Sequence, residues 1–429
     1  MPKVPEMNVE EVKKSVCKFY LDNRDECDSN YFNAENMNIG KIYMDIEDFD
    51  LIHSLFIQTS FVVITANKYE KNILHYNVFR LHNKKIKKFS INLFPQRETK
   101  HETYAYCFEW QGYLVLHIEA QSTGSYTIGG SADIVRYVLN NQYIVPKGIV
   151  SLGICFGADE RKYHLGDVVI SKKIYPYFIG SKIQERGYFV TDDNAFIIDS
   201  GLSAKIKFIN EKNAFSELKS DVYFGNYITG EAVVSQRKAK NEFVKQTKQP
   251  IIAGEMEGYG LFKECRGTYY TVPCLIVKSI CDWAVMKNFE AKDIFEELCN
   301  TTSKVSEKEE KTLKDRIQAY AALQAFKVLD ILVSNKIFGE SIFNDIIAYI
   351  EKFPGHAIYA EHIKNEIQKI VEKNMCNIHI TYKFVAVVIK ELMNRKLIKY
   401  DDSCELDSVL SNNTDEIGNW LVSIQKGGK

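Results

Sequence analysis

The chain has no Cys-x-x-Cys pair and no run of cysteine and histidine at metal-ligand spacing, although it carries 10 cysteines. That argues against a zinc module or a disulfide scaffold. The cysteines read instead as mostly reduced thiols of a cytosolic protein. Neither sign of charge is in excess. The 55 Lys and Arg against 56 Asp and Glu leave a net charge of -1, which removes any general argument for a nucleic-acid or membrane surface. No apolar run reads as long enough to span a bilayer, and the opening MPKVPEMNVEEVKK lacks the apolar core of a signal peptide. The expectation is a cytoplasmic protein with no membrane attachment. Internal repeats and low-complexity tracts are missing as well. What remains is ordinary globular composition, 45% hydrophobic and 26% charged over 429 residues, enough for a large domain and one or two small ones.

Residues 1–58 read as an N-terminal extension, with EVKKSVCKFY as a short amphipathic helix, the polar DNRDECDSN as a loop and DIEDFDLIHSLF as a second helix. The strand FVVITA then opens a regular stretch. YLVLHIEA, GIVSLGIC, GDVVISKKI, VYFGNYITG and PCLIVKSI follow as strands. Helical segments such as SADIVRYVLNN lie between them, with Ile134, Val138 and Leu139 at helical spacing. This alternation predicts an α/β fold, a mixed sheet flanked by helices. The continuous apolar runs favour parallel or mixed pairing. Leu313, Ile317, Ala321 and Leu329 mark a long closing helix, which places a catalytic domain at 59–339. The remaining residues, 340–429, read as a small, mostly helical accessory domain, winged-helix-like in its pattern of three helices and a strand.

Four places carry residues suited to chemistry. In IIAGEMEGYGLF, Glu255 and Glu257 stand one residue apart in an apolar setting, and buried carboxylates need partners. A strand end with its acids in solvent, or capping a helix, is the bland alternative. VVITANKYEKN puts Glu70 just beyond a strand, where βα loops place functional groups; a solvated acid in a first helical turn fits equally. SLGICFGADERKYHLGDVVIS is a glycine-punctuated loop between strands, suited to close backbone approach or to a tight turn. IVKSICDWAV ends an apolar strand with Lys278, Cys281, Asp282 and Trp283, and a partly enclosed aspartate at a strand end suits a general acid.

Taken in order, VVITANKYEKN, GICFGADERKYHLGDVVIS, TGEAVV (229–234), GEMEGYG and the Cys281–Asp282 pair resemble the landmarks of the nucleoside phosphorylase superfamily. The likeness is to the trimeric-phosphorylase type, and within it to the nucleosidase branch of methylthioadenosine/S-adenosylhomocysteine nucleosidase. The resemblance implies that Glu257 accepts hydrogen bonds from the ribose hydroxyls while Met256 packs on the sugar. It implies that Glu255 orients the site or its water, and that Glu70 positions the attacking water. Asp282 would hydrogen-bond or protonate purine N7, draining the charge that cleavage leaves on the base. Backbone groups at Val233 would read the base edge, with Phe156 or Trp283 stacking on it or serving only the core. Cys281 stands where relatives more often have serine, beside the base or as a packed thiol. No metal or organic cofactor is called for.

The turn TANKYEK holds lysines but no arginine, and IEAQSTGSYTIGG has no basic residue. Water is therefore expected as the nucleophile rather than phosphate. The expected activity is a purine nucleosidase, adenine class, acting on a nucleoside or nucleotide. A phosphate-dependent phosphorylase and a nucleoside-sensing regulator are the alternatives. Similar nucleosidase domains fused to accessory modules occur as effectors in bacterial antiphage systems, where some consume adenine nucleotides, and the extra ends resemble that architecture and imply that role. If the substrate bears phosphates, Lys68, Lys71, Arg161, Lys162 and His164 are the candidate cations, or else a solvated basic face. The family implies a homodimer or higher homo-oligomer. TYKFVAVVIKELMNRK would be the recognition helix of a DNA-binding tail. It is only modestly basic, so a regulatory protein partner is favoured and nucleic acid is left open.

Overall fold

Runs of Val and Ile without alternation form strands buried on both faces. In the computed structural model every residue of FVVIT is buried. The structure describes residues 9–94, 102–177, 183–184, 187–188, 195–231, 234, 237–247, 249–266, 272–284, 307–353, 357–374, 380–400 and 421–424.

The chain begins with α1 (Val9–Asp22), α2 (Arg24–Glu35), α3 (Ile39–Ile42), β1 (Tyr43–Asp45) and α4 (Phe49–Ile57). β2 (Phe61–Thr65), α5 (Lys68–His82), β3 (Ile86–Asn92), β4 (Glu102–Trp110), β5 (Tyr113–Glu119) and α6 (Ser131–Asn140) follow. Next come β6 (Ile149–Gly157), β7 (Val168–Pro176), the short β8 (Ile183–Gln184), β9 (Gly187–Tyr188) and β10 (Phe196–Ile197), then α7 (Ser200–Glu211) and β11 (Val222–Thr229). α8 (Arg237–Gln246), β12 (Ile251–Glu255), α9 (Gly258–Cys265), β13 (Cys274–Asp282) and the long α10 (Glu307–Ser334) complete the larger part.

The main sheet has 11 strands in the order β1-β3-β4-β5-β2-β6-β12-β11-β7-β10, and β13 pairs with both β6 and β7. β6, β12, β11, β7 and β13 therefore close a ring. β2, β6 and β13 run parallel, while β12 meets β6 antiparallel through Ala253–Gly157 and Gly254–Phe156. The C-terminal ends of these four strands thus converge on one place. All six strands expected from apolar runs are present, and the mixed sheet flanked by helices is the expected class. The expected boundary at 58/59 falls between α4 and β2, yet β1 pairs parallel with β3 at the edge of the main sheet.

Two expectations need correction. DNRDECDSN is not a loop: Asp22 ends α1, Asn23 turns, and the rest opens α2, whose Cys27, Asn30 and Ala34 form one buried stripe. α2 packs on α10 and α5, and such packing outweighs poor intrinsic helicity. Second, Leu313–Ser334 is long and apolar enough to cross a bilayer, although most of that stretch is buried inside the protein. It contacts β6, β13, α2 and α5, as a core helix does. The helix that a DNA-binding tail would use is not a free surface. The C-terminal unit comprises α11 (Ile342–Ile350), β14 (Ala357–Tyr359), α12 (Ala360–Asn374), α13 (Tyr382–Asn394), β15 (Ile398–Tyr400) and β16 (Leu421–Ile424), with sheet order β14-β16-β15. The three expected helices are present, and the described residues hold three short strands where the sequence suggested one. α13 buries Phe384 through Ile389 and packs on α4. Lys390 pairs with Asp50 at 2.8 Å and Ser54 Oγ donates to Glu391 at 2.7 Å.

One buried polar chain makes a prediction. Tyr43 Oη meets His75 Nδ1 at 2.8 Å, His75 Nε2 meets His117 Nδ1 at 2.9 Å, and His117 Nε2 meets Thr65 Oγ1 at 3.0 Å. Burial holds both imidazoles neutral, His117 down to about 3. A depressed histidine contributes stability that is complete above its unfolded value of about 6.5 and is lost as pH falls from there. His117 alone should cost on the order of 2 kcal/mol by about pH 5. Urea titrations of the wild type and His117→Gln at both ends of this window test it. The gap between the two proteins should narrow in acid, and a gap independent of pH would refute the assignment.

Candidate active site

Four strand ends and two helices enclose a cavity of about 570 Å³. β13 delivers Cys281 and Asp282, and both line it. Strict alternation would send these neighbours to opposite faces. The register with β6 steps from Ile280–Cys155 to Asp282–Phe156, so Cys281 is the extra residue of a bulge that re-aims both side chains. Ala284, held at φ 56°, directs its N–H onto Asp282 Oδ1 at 2.7 Å. The Cys281 thiol lies 3.8 Å from Asp282 Oδ2, a weak donor rather than a nucleophile. Phe156, opposite Asp282 in the register, also lines the cavity. Trp283 does not: it is buried and donates through Nε1 to Tyr163 O at 2.9 Å, anchoring the glycine-punctuated loop.

The two acids of GEMEGYG are buried and satisfied in different ways. Glu255 ends β12 and accepts from the N–H groups of Glu257 and Gly258 at the start of α9, at 2.9–3.0 Å. It caps a helix from inside the fold. Glu257 accepts from Gly124 N–H at 3.2 Å and from Lys278 Nζ. Gly124 has φ 110°, a conformation that suits glycine, and this brings its amide to the carboxylate. Met256 lines the cavity between the two acids, its carbonyl held by Ser125 Oγ at 2.9 Å.

Lys278 organises the cluster. It is 1% exposed in the middle of β13, hydrogen-bonds Glu257 and lies 3.3 Å from Glu255. Burial works to lower its pKa, but Glu257, Glu255 and Glu70 together outweigh it and hold the ammonium charged. Glu257 is likewise pushed up by burial, yet Lys278 and the Gly124 amide bring it below the usual carboxylate range. Glu255 stays raised, by burial and by its neighbour Glu257. Sequence reasoning listed Lys278 without a role. The signal was available: a lysine inside a run of Leu, Ile and Val with two acids elsewhere in apolar sequence implies a buried pair.

Glu70 is not a solvated acid. It is 3% exposed and closes a capping box with Asn67, accepting from Ala66 and Asn67 N–H at 2.6 and 3.1 Å. Its other oxygen accepts from Ile154 N–H at 2.9 Å and retains a lone pair. A side chain at Gly153 would meet this carboxylate at 2.1 Å and would displace it from its backbone partners. Burial raises Glu70 to about 7, offset in part by Lys278. Val233 lies outside the described residues. Of the candidate phosphate-binding cations only Lys68 lines the cavity. Lys71 pairs with Glu119, Lys162 with Asp159 and His164 with Asp167, and Arg161 reaches Glu11. Lys314, which the sequence did not single out, joins the lining from α10.

Residues 84–315 match the profile of a family described as Phosphorylase superfamily. A protein of Amphimedon queenslandica, the Death domain-containing ATP nucleosidase, is 28% identical over 167 residues, covering 34% of this chain and 30% of that relative's length. Among solved structures, the 5'-methylthioadenosine/S-adenosylhomocysteine nucleosidase of Neisseria meningitidis matches with TM-score 0.44 and 16% identity, covering 64% of this chain and 99% of that one. Futalosine hydrolase of Helicobacter pylori matches with TM-score 0.44 and 14% identity, covering 65% and 98%.

Proposed function

The chain belongs to the phosphorylase superfamily, and from that premise we propose that it hydrolyses the N-glycosidic bond of a purine nucleoside or nucleotide, adenine class, releasing the free base. Glu257 holds the ribose hydroxyls, with Met256 against the sugar. Asp282 gives a proton to N7 as the C1'–N9 bond breaks and its electron pair leaves with the base. Water then forms the new bond to C1' and passes its proton to Glu70, whose value of about 7 suits a base working near neutrality. Cys281 and Phe156 flank the base end, and Val233 is proposed to present its backbone there.

The choice of water over phosphate is carried by one observation. The loop 121–130, which reaches the cavity at Thr123, offers successive N–H groups, as an anion-binding nest does, but the protein's own carboxylates already take them. Gly124 N–H is on Glu257, and the Ser125 and Tyr126 N–H groups are on Glu231 Oε2 at 3.0 and 3.1 Å. A phosphate entering here would meet two carboxylates. As a wider role we propose a defence effector that depletes adenine nucleotides under control of a protein bound to the C-terminal unit. The added ends and the likeness to the ATP nucleosidase of Amphimedon queenslandica support it.

Chromatographic assay of adenosine, methylthioadenosine, AMP and ATP, each with and without phosphate, tests the reaction. Adenine should appear at a rate indifferent to phosphate, together with a free ribosyl product. Ribose 1-phosphate formation would overturn the hydrolytic reading.

A further inference from the structure

With the base end assigned to Asp282 and Phe156 and the sugar to Glu257, a further set of polar lining residues comes from the first turn of α5 and from α10. They are Lys68, Tyr69, Lys314, Asp315 and Gln318. α2 is strapped to both helices. Asn72 Nδ2 donates to Ala34 O at 2.7 Å, and Arg316 Nη1 donates to Asp28 Oδ1 at 2.7 Å and Tyr20 Oη at 2.8 Å. Lys327 and Lys219 pair with Glu26 at 2.8 and 3.0 Å. The last residue of α2, Glu35, accepts from Lys68 Nζ at 2.6 Å, and Tyr69 hydrogen-bonds both Glu35 and Asp315. The N-terminal helices therefore reach the rim of the cavity.

We propose that Glu35 is a specificity residue for the 5' end of the substrate, holding Lys68 in competition with the phosphate of a nucleoside 5'-phosphate. This rests on the N-glycosidase reading above. Lys68 and Glu35 have side chains 57% and 32% exposed, so their pair is weak and exchangeable. A phosphate offers Lys68 a charge-assisted bond, and Glu35 keeps the Tyr69 hydroxyl when it releases the lysine. Without a phosphate, Glu35 and Asp315 balance Lys68 and Lys314. The α2 carboxylate thus sets how strongly the rim attracts an anionic 5' group, and a neutral nucleoside has nothing to displace.

The test compares base release from ATP and adenosine by the full chain, by Glu35→Gln, by Lys68→Met and by the double variant. Glu35→Gln removes a charge but preserves an acceptor for Tyr69. It should raise the ratio of kcat/KM for ATP over adenosine about fivefold through KM. Lys68→Met should lower the ratio, and Glu35→Gln should have less effect in its background. Calorimetric affinities for ATP and adenosine are measured in parallel in Asp282→Asn protein with and without Glu35→Gln. These decide the role of Glu35 even if no substrate releases base, the outcome that would overturn the N-glycosidase reading alone. A ratio unmoved in both measurements, or equal shifts for both ligands, would overturn the proposal and leave Glu35 a structural contact.

Discussion

Replacing Lys278 with methionine should destabilise the protein by about 3–5 kcal/mol at neutral pH, because it strands buried carboxylates without their cation. Lys278 is 1% exposed and faces Glu257, Glu255 and Glu70, all buried. The loss should depend on pH in a definite sense. In the intact protein Glu257 lies below the ordinary carboxylate range, so its contribution is present above its unfolded value and is lost as acid titrates it. In the variant, burial would hold the same carboxyl above its unfolded value. Protonation would then relieve the variant while it weakens the wild type. Denaturant titrations near neutrality and near pH 5 should show the gap closing in acid. A gap of the same size at both pH values would mean that packing of the lysine stem, not its charge, is what the fold requires.

The sequence disclosed those parts of the fold and site that depend on local pattern. Continuous apolar runs such as Phe61–Thr65 are strands wherever the chain goes, because only two-sided burial suits them. β3 and β4 were missed for the opposite reason. IKKFSIN is a half-buried strand with adjacent lysines, one toward each face, and an exposed Ser90, and nothing in that stretch forces a strand until β4 lies beside it. α2 was missed because its helicity comes from α10 and α5, which the sequence could not place against it. In the site, the order of the acidic landmarks was legible but their partners were not. That Glu255 caps α9 while Glu257 meets Gly124 depends on a loop more than a hundred residues away. The reach of Glu35 to Lys68 likewise depends on how α2 docks.

Asp282→Asn should lower kcat for adenine release by about 10²–10⁴-fold, the range expected when a positioned proton donor is removed. Asparagine keeps the shape and can still accept the Ala284 N–H bond that fixes Asp282 Oδ1, so substrate affinity should survive. What it cannot do is deliver a proton to N7 as charge builds on the departing base. A substrate that needs no such proton separates this role from a structural one. With 4-nitrophenyl riboside the leaving group departs as a stable anion, so the variant should lose far less rate than with adenosine, while Glu70→Gln should slow both substrates. Equal losses on the two substrates in Asp282→Asn protein would indicate a disturbed cavity rather than a missing acid, and Asp282 would then have to be read as a support for the β13 bulge.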